Sequence, residues 1–213
     1  PEQNLNSSIQ ALEYEVINAI HKLSTPEKKK VAIASGHGEL PEKNLQELGK
    51  VLSEYYKPLR VRIDSQATHL EQYAAIIFPK PQKRFSEKEK FIIDQYLMQG
   101  GSLMFLMDGV KVDMDSLRSR SSAVGVANDL NLRDMLFNYG LRVNNELVLD
   151  EECLPIGLTR MGQSGQTRIQ LYPWPYHPVI ISKREKHPVT RYLNPLRTSF
   201  VSTVDTVAVK GVN

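Results

Sequence analysis

His37 and Glu39 are the residues that invite a chemical reading. They stand in Ser35-Gly36-His37-Gly38-Glu39, where the apolar run from Val31 to Ala34 breaks into glycines ahead of a helical pattern. A strand that runs into such a turn before a helix is where α/β proteins place ligands and catalytic groups. Three roles are open to the loop: an active site, a cradle for a ligand or partner, or a corner whose glycines let the chain turn tightly. The spacing His-x-Glu occurs in zinc deaminases, but there it needs a downstream Pro-Cys-x-x-Cys to supply thiolate ligands. This chain has a single cysteine, Cys153, so that chemistry is excluded. His37 could act as a base, yet no nucleophile is paired with it in sequence. Gly36 and Gly38 lack the third glycine of a dinucleotide fingerprint, because position 41 is proline, and only Asp64 could serve as the acidic residue of the second strand.

Other chemical slots are empty as well. No phosphate-binding Gly-x-x-x-x-Gly-Lys-Ser/Thr occurs. A nucleophile elbow would place Ser or Cys after a central strand; after Leu103 to Met107 the chain offers Asp108-Gly109-Val110 instead. Gly162-Gln163-Ser164-Gly165 is not a Gly-x-Ser-x-Gly elbow and falls in a hairpin turn. Cys153 precedes Leu154-Pro155 with no adjacent base and reads as a small apolar residue. Asp113 and Asp115 could begin a calcium loop, but the ligand spacing stops there. His177 and His187, each before a proline, read as loop residues, and Trp174 as a packing anchor. No metal and no cofactor is expected.

The elements that must position these residues are legible from periodicity. Ile9, Leu12, Val16, Ile20 and Leu23 predict an amphipathic helix over 7–23. A strand follows at 31–34, a helix at 41–55 with Pro41 in its first turn, a half-buried strand at 59–63, a short helical turn near Leu70, and a buried strand at 74–78. Ser86 to Glu89 forms a capping box, Gly100-Gly101 ends that helix, and Leu103 to Met107 predicts another buried strand. The order βαββαβ over 31–109 implies an α/β domain with a mainly parallel sheet. Residues 110–128 read as a long polar loop. Asn131 and Asp134 read as a capping box for a helix that Gly140 ends. Leu147 to Leu149 predicts a strand, and 156–161 with 167–172 a hairpin. A proline-punctuated tail follows. The whole is read as an N-terminal helix over 1–28 and one domain over 29–213, with helix, hairpin and closing strands at 129–213.

With 213 residues, 41% of them hydrophobic and 24% charged, the chain has the composition of an ordinary soluble globular protein. Its charge of +3 is spread out, and Lys28-Lys29-Lys30 reads as a solvated strand lead-in, so nucleic acid is not implied. No apolar run reaches the ~18–20 residues that span a bilayer. Both ends read as cuts within a longer chain.

Taken in order, "SGHGEL", "FSEKEKFIIDQYLMQGGSLMFLMDGV", "DSL", "DLNLRDMLFNYGLRVNNELVLDEEC" and "WPYHPVI" with "HPVTRYLNPLRTSFVSTVDTV" resemble the GldG family, gliding-motility-associated auxiliary proteins of ABC transporters in Bacteroidota. The likeness spans nearly the whole chain. It implies a three-layer, Rossmann-like or glutamine-amidotransferase-like domain, similar also to a domain of intraflagellar-transport proteins. It implies a periplasmic location, with membrane anchors outside this segment. The implied partners are a GldF-like permease and a GldA-like ATPase, with a homo-oligomer possible in addition. The resemblance carries no ligand motif. The function expected is therefore non-enzymatic, through protein–protein contact. The alternative is a small-solute, sugar-like binding domain, with Gly36, His37, Gly38, Glu39, Pro79-Lys80 and Asp108 at the carboxyl ends of the strands as its candidate residues. A hydrolase using His37 is a third reading.

Overall fold

The computed structural model describes residues 12, 15–24, 27–64, 69–113, 122–161, 167–181 and 193–208. They fall into two compact units, Pro1–Pro81 with Glu87–Leu106, and Gln82–Ser86 with Met107–Asn213. Among the described residues no helix is long and apolar enough to cross a membrane.

The first unit is built on a four-stranded, all-parallel sheet. Strands β1 (Lys30–Ser35), β2 (Lys57–Arg62), β3 (Ala75–Pro79) and β4 (Ser102–Leu106) lie in the order β2-β1-β3-β4. The two inner strands are the continuous apolar runs: Ala32, Ala34, Ile76 and Phe78 are fully buried, as strands covered on both faces require. β2 sits at an edge, and its alternation of Arg60 and Arg62 with Leu59 and Val61 follows from one wet face. β4 corrects an expectation. It reads as a buried strand but forms the other edge, with Met104 and Leu106 exposed. Apolar composition alone does not distinguish a central strand from an edge.

Helix α1 covers residues 15–24; the part of the expected helix before it, apart from Leu12, lies outside the described residues. Its apolar stripe is exposed at Val16, Ile20 and Leu23. The polar side makes the contacts instead: Tyr55 Oη donates to Asn18 Oδ1 at 2.8 Å, and Lys22 pairs with Glu54 at 3.2 Å. α2 (Glu42–Ser53) begins after Pro41 and buries Leu45. A 3-10 turn at Leu70–Gln72 matches the short helical turn expected there. α3 (Glu87–Met98) buries Lys90, Ile93 and Tyr96 at three-residue spacing. Gly100, at φ +91°, ends it: Gly101 N–H bonds to Tyr96 O at 3.0 Å and Gly100 N–H to Leu97 O at 2.9 Å, satisfying two terminal carbonyls. A Cβ on Gly101 would fall 2.3 Å from the Tyr96 ring, so this glycine is also a contact.

Among the described residues, the second unit consists of small antiparallel sheets and one short helix. β5 (Val110–Val112) pairs with β6 (Gly125–Ala127). This corrects the expectation of a continuous loop over 110–128; three-residue strands are too short to show a period. α4 (Arg133–Asn138) starts after Leu132, without a side-chain cap. Asn131 is not its cap. It takes a left-handed conformation, φ +60°, and its Nδ2 donates to Phe85 O at 2.9 Å. The expected strand at 147–149 is not one; β7 (Leu141–Val143) lies just before it and pairs with β11 (Val204–Thr206). The hairpin is present, as β8 (Cys153–Met161) and β9 (Thr167–Ile180), with β10 (Leu196–Arg197) on the other side of β9. The proline-punctuated stretch 173–178 is thus strand rather than loop. Pro173 faces Pro155 next to a register shift between Cys153 and Pro155, an irregularity that accommodates residues without an N–H. His177, expected in a loop, is a buried strand residue. His187 and Asp115 lie outside the described residues.

Candidate functional site

From β1 the chain moves to one side to form β2 and then crosses back to form β3 on the other side of β1, so the two inner strands flank a topological switch point. In open α/β sheets, ligands bind in the crevice beyond the carboxyl ends of such strands. Gly36 to Glu39 stand at that position. The glycines supply the turn: Gly36 has φ +125° and Gly38 φ +72°. The loop then reaches β3, where Leu40 N–H donates to Pro79 O at 3.0 Å.

The side chains point inward while the glycines face out. His37 and Glu39 are buried, 4% and 9% exposed. Glu39 Oε2 accepts from the His37 backbone N–H at 2.7 Å, and its Oε1 lies 3.7 Å from His37 Nδ1. On the other side of the ring, Nε2 lies 3.3 Å from Glu89 Oε2, from the first turn of α3. One imidazole therefore joins the loop to α3 between two carboxylates. Burial pushes the ring's pKa down, but the hydrogen bonds and charges of Glu39 and Glu89 outweigh that and hold it above its ordinary 6.5. Burial likewise pushes Glu39 up, and the His37 ring with the backbone N–H groups of Glu39 and His37 holds it below its ordinary 4.5. The arrangement is an ion pair that fills the switch point with protein. Sequence could not supply Glu89: it reads there as a helix-capping glutamate, fifty-two residues from the histidine it meets.

Asp108, the remaining candidate, belongs to the second unit. It lines a cleft of about 900 Å³ with Asn128, Asn131, Arg133, Phe137 and Arg142. The floor is fixed by hydrogen bonds between side chains and backbone. Asn128 Nδ2 donates to Asp108 O at 3.0 Å and Asn131 N–H to Asp129 Oδ1 at 3.1 Å. Arg142 is tied to Asp205 at 2.6 Å, and hydrogen bonds from Asn144 and Arg142 hold that carboxyl below its ordinary range. Apart from Asp108, sequence reading missed this cleft, since its residues come from a loop, a two-turn helix and a short strand with no motif. Among the described residues no group of acidic, histidine or cysteine side chains could hold a metal ion.

Elsewhere, Trp174 packs at a tilt on Tyr176 with ring centres 5.6 Å apart, and Tyr176 on Phe200 at 6.0 Å, as a packing anchor would. Burial, and then the charge of Arg197, lower the pKa of His177. Cys153 is half-buried.

A parallel α/β unit whose switch point is filled, joined in sequence to a second unit with an open cleft, defines a mixed α/β protein. The model of the family described as "ABC-type uncharacterized transport system" matches residues 28–213, and the chain belongs to that family. The family ties it to an ABC transport system. No curated protein matches the sequence significantly. Among solved structures, the chain is similar to one titled "mmIFT52 N-terminal domain", with a TM-score of 0.56 and 18% identity over 85% of this chain and 69% of that one. The likeness is one of fold, and it agrees with the resemblance to an intraflagellar-transport domain.

Proposed function

We propose that this chain is a non-enzymatic accessory domain of an ABC transport system, acting by protein–protein contact with a permease and an ATPase. Family membership over residues 28–213 carries the reading. The filled switch point supports its non-enzymatic part: the one histidine and acid pair placed where a catalytic or ligand site would stand is spent on joining a loop to a helix. Within the family, the ordered segments from "SGHGEL" to "VSTVDTV" favour a GldG-like member. That reading makes the domain the periplasmic part of a membrane-anchored protein of gliding bacteria, with a three-layer, glutamine-amidotransferase-like core. A rigid α/β body of this kind would pass an ATP-driven change in GldF-like and GldA-like partners to other components.

The test is purification of the full-length parent in mild detergent from its own cells. Recovery of a permease and an ATPase in fixed ratio is expected; their absence from the purified material overturns the reading.

A further inference from the structure

We propose that the cleft of the second unit is a binding site for a neutral, hydroxyl-rich ligand: an oligosaccharide several rings long. The proposal does not rest on the accessory reading.

It starts from one side of α4. This helix buries Met135 and Leu136 and turns Arg133, Asp134, Phe137 and Asn138 outward. Three of those four are polar, as a solvated face should be. The fourth is a phenylalanine, 46% exposed and lining the cleft. Arg133 and Phe137 stand four residues apart and Asp134 and Asn138 likewise, so the four side chains share one side of two turns. An apolar ring presented to water beside a guanidinium, a carboxylate and an amide has the two surfaces a sugar has. The C–H face of a pyranose lies on an aromatic ring, and its hydroxyls reach the polar groups around it.

The rest of the wall selects among ligand classes. Asp108, Asp129 and Asp134 stand against Arg133 and Arg142, so the formal charges of the lining nearly cancel. Arg142 is already bound to Asp205, and Asp129 to Arg84 at 3.4 Å. A phosphate would need uncompensated cations, and a divalent cation a group of acidic ligands that the described residues do not form. The lining mixes acceptors (carboxylates) and donors (guanidinium groups) with carboxamides that do both, at Asn131, Asn138 and Asn145. A hydroxyl also does both, and neighbouring hydroxyls on a ring are matched by such pairs. The volume, about 900 Å³, stands near the upper end of the ~300–1,000 Å³ range of small-molecule sites. That fits a short oligomer better than one ring. The floor is held in place before any ligand arrives by the Asn128 and Asn131 hydrogen bonds, which lowers the ordering cost of binding.

The experiment is isothermal titration of the full chain with maltotetraose, cellotetraose and chitotetraose, with glucose and inorganic phosphate as comparison probes. Saturable binding of at least one tetrasaccharide is expected, weakened about tenfold or more by Phe137→Ala and by Arg133→Ala. Hydrogen exchange should slow in residues 128–145 when that saccharide is present. Circular dichroism of both variants confirms the fold is retained, as the exposure of the two side chains leads one to expect. The proposal is overturned if no tetrasaccharide binds, if binding is unchanged in both variants, or if phosphate binds more tightly. Glucose binding as tightly as the best tetrasaccharide overturns the oligomer.

Discussion

The corner after β1 and the cleft around α4 are both rich in polar residues, and they differ in where those residues point. At the corner, His37, Glu39 and Glu89 turn toward one another inside the protein. At the cleft, Arg133, Asp134 and Asn138 turn out to solvent around an exposed Phe137. The first arrangement stabilises the fold only while it stays closed, because a buried charge without its partner costs several kcal/mol. The second faces solvent and contributes little to folding. Residue type alone picks the corner as the functional site; the proposal for the cleft rests on orientation.

The contrast can be broken at several points. The largest effect should come from His37→Ala, which strands two carboxylates beside a cavity. A loss of about 3–5 kcal/mol in urea denaturation is expected. A loss under about 1 kcal/mol would mean the corner is solvated and open. Gly36→Ala should come next, at about 1–3 kcal/mol, because φ +125° strains any side chain and the new Cβ would lie 3.2 Å from Ile63 O.

The pH dependence follows from the same ion pair. His37 is raised, so its contribution is complete below the ordinary imidazole value of 6.5 and fades as pH climbs through the raised one. Glu39 is lowered, so its contribution is complete above 4.5 and fades as pH falls through the depressed value. The stability difference between wild type and His37→Ala should therefore peak at about pH 5–6 and shrink on both sides. A flat difference from acid to alkali would remove the ion pair from the account. The smallest effect belongs to the cleft: Arg133→Ala and Phe137→Ala should each change folding stability by no more than about 0.5 kcal/mol. A larger loss would make Phe137 part of the core and erase the distinction between the two regions.

Much of the first unit was legible in the sequence because its signals are local and repeated. Ala32, Ile33, Ala34 and Ile76, Ile77, Phe78 are runs long enough to be read as buried strands, and Gly100 marks a helix end unambiguously. The edge position of β4 was not legible, since strand order is set by contacts between distant segments. The second unit was largely hidden. Its strands β5, β6 and β7 have three residues each, less than two periods of alternation. Asn131 has the chemistry of a helix cap and the conformation of a turn, and nothing local decides between them. The same holds for the sites. His37 and Glu39 were found because they are neighbours in sequence, but Glu89, which fixes their role, is not. Asp108 was noticed as the residue in an empty nucleophile position and at the carboxyl end of a strand; Asn128, Arg133 and Phe137 gave no signal of their own.

The single tryptophan of the chain, Trp174, lies in β9 of the second unit, its indole stacked at a tilt on Tyr176. The first unit contains none. The molecule thus carries an optical label on one half only. Indole emission follows the melting of the unit that holds the cleft, whereas far-ultraviolet dichroism is weighted toward the helices, the longer of which lie in the other unit. If the two signals trace one curve on heating, the units unfold together; if they part, the temperature at which each half gives way can be read from a single sample without any added probe.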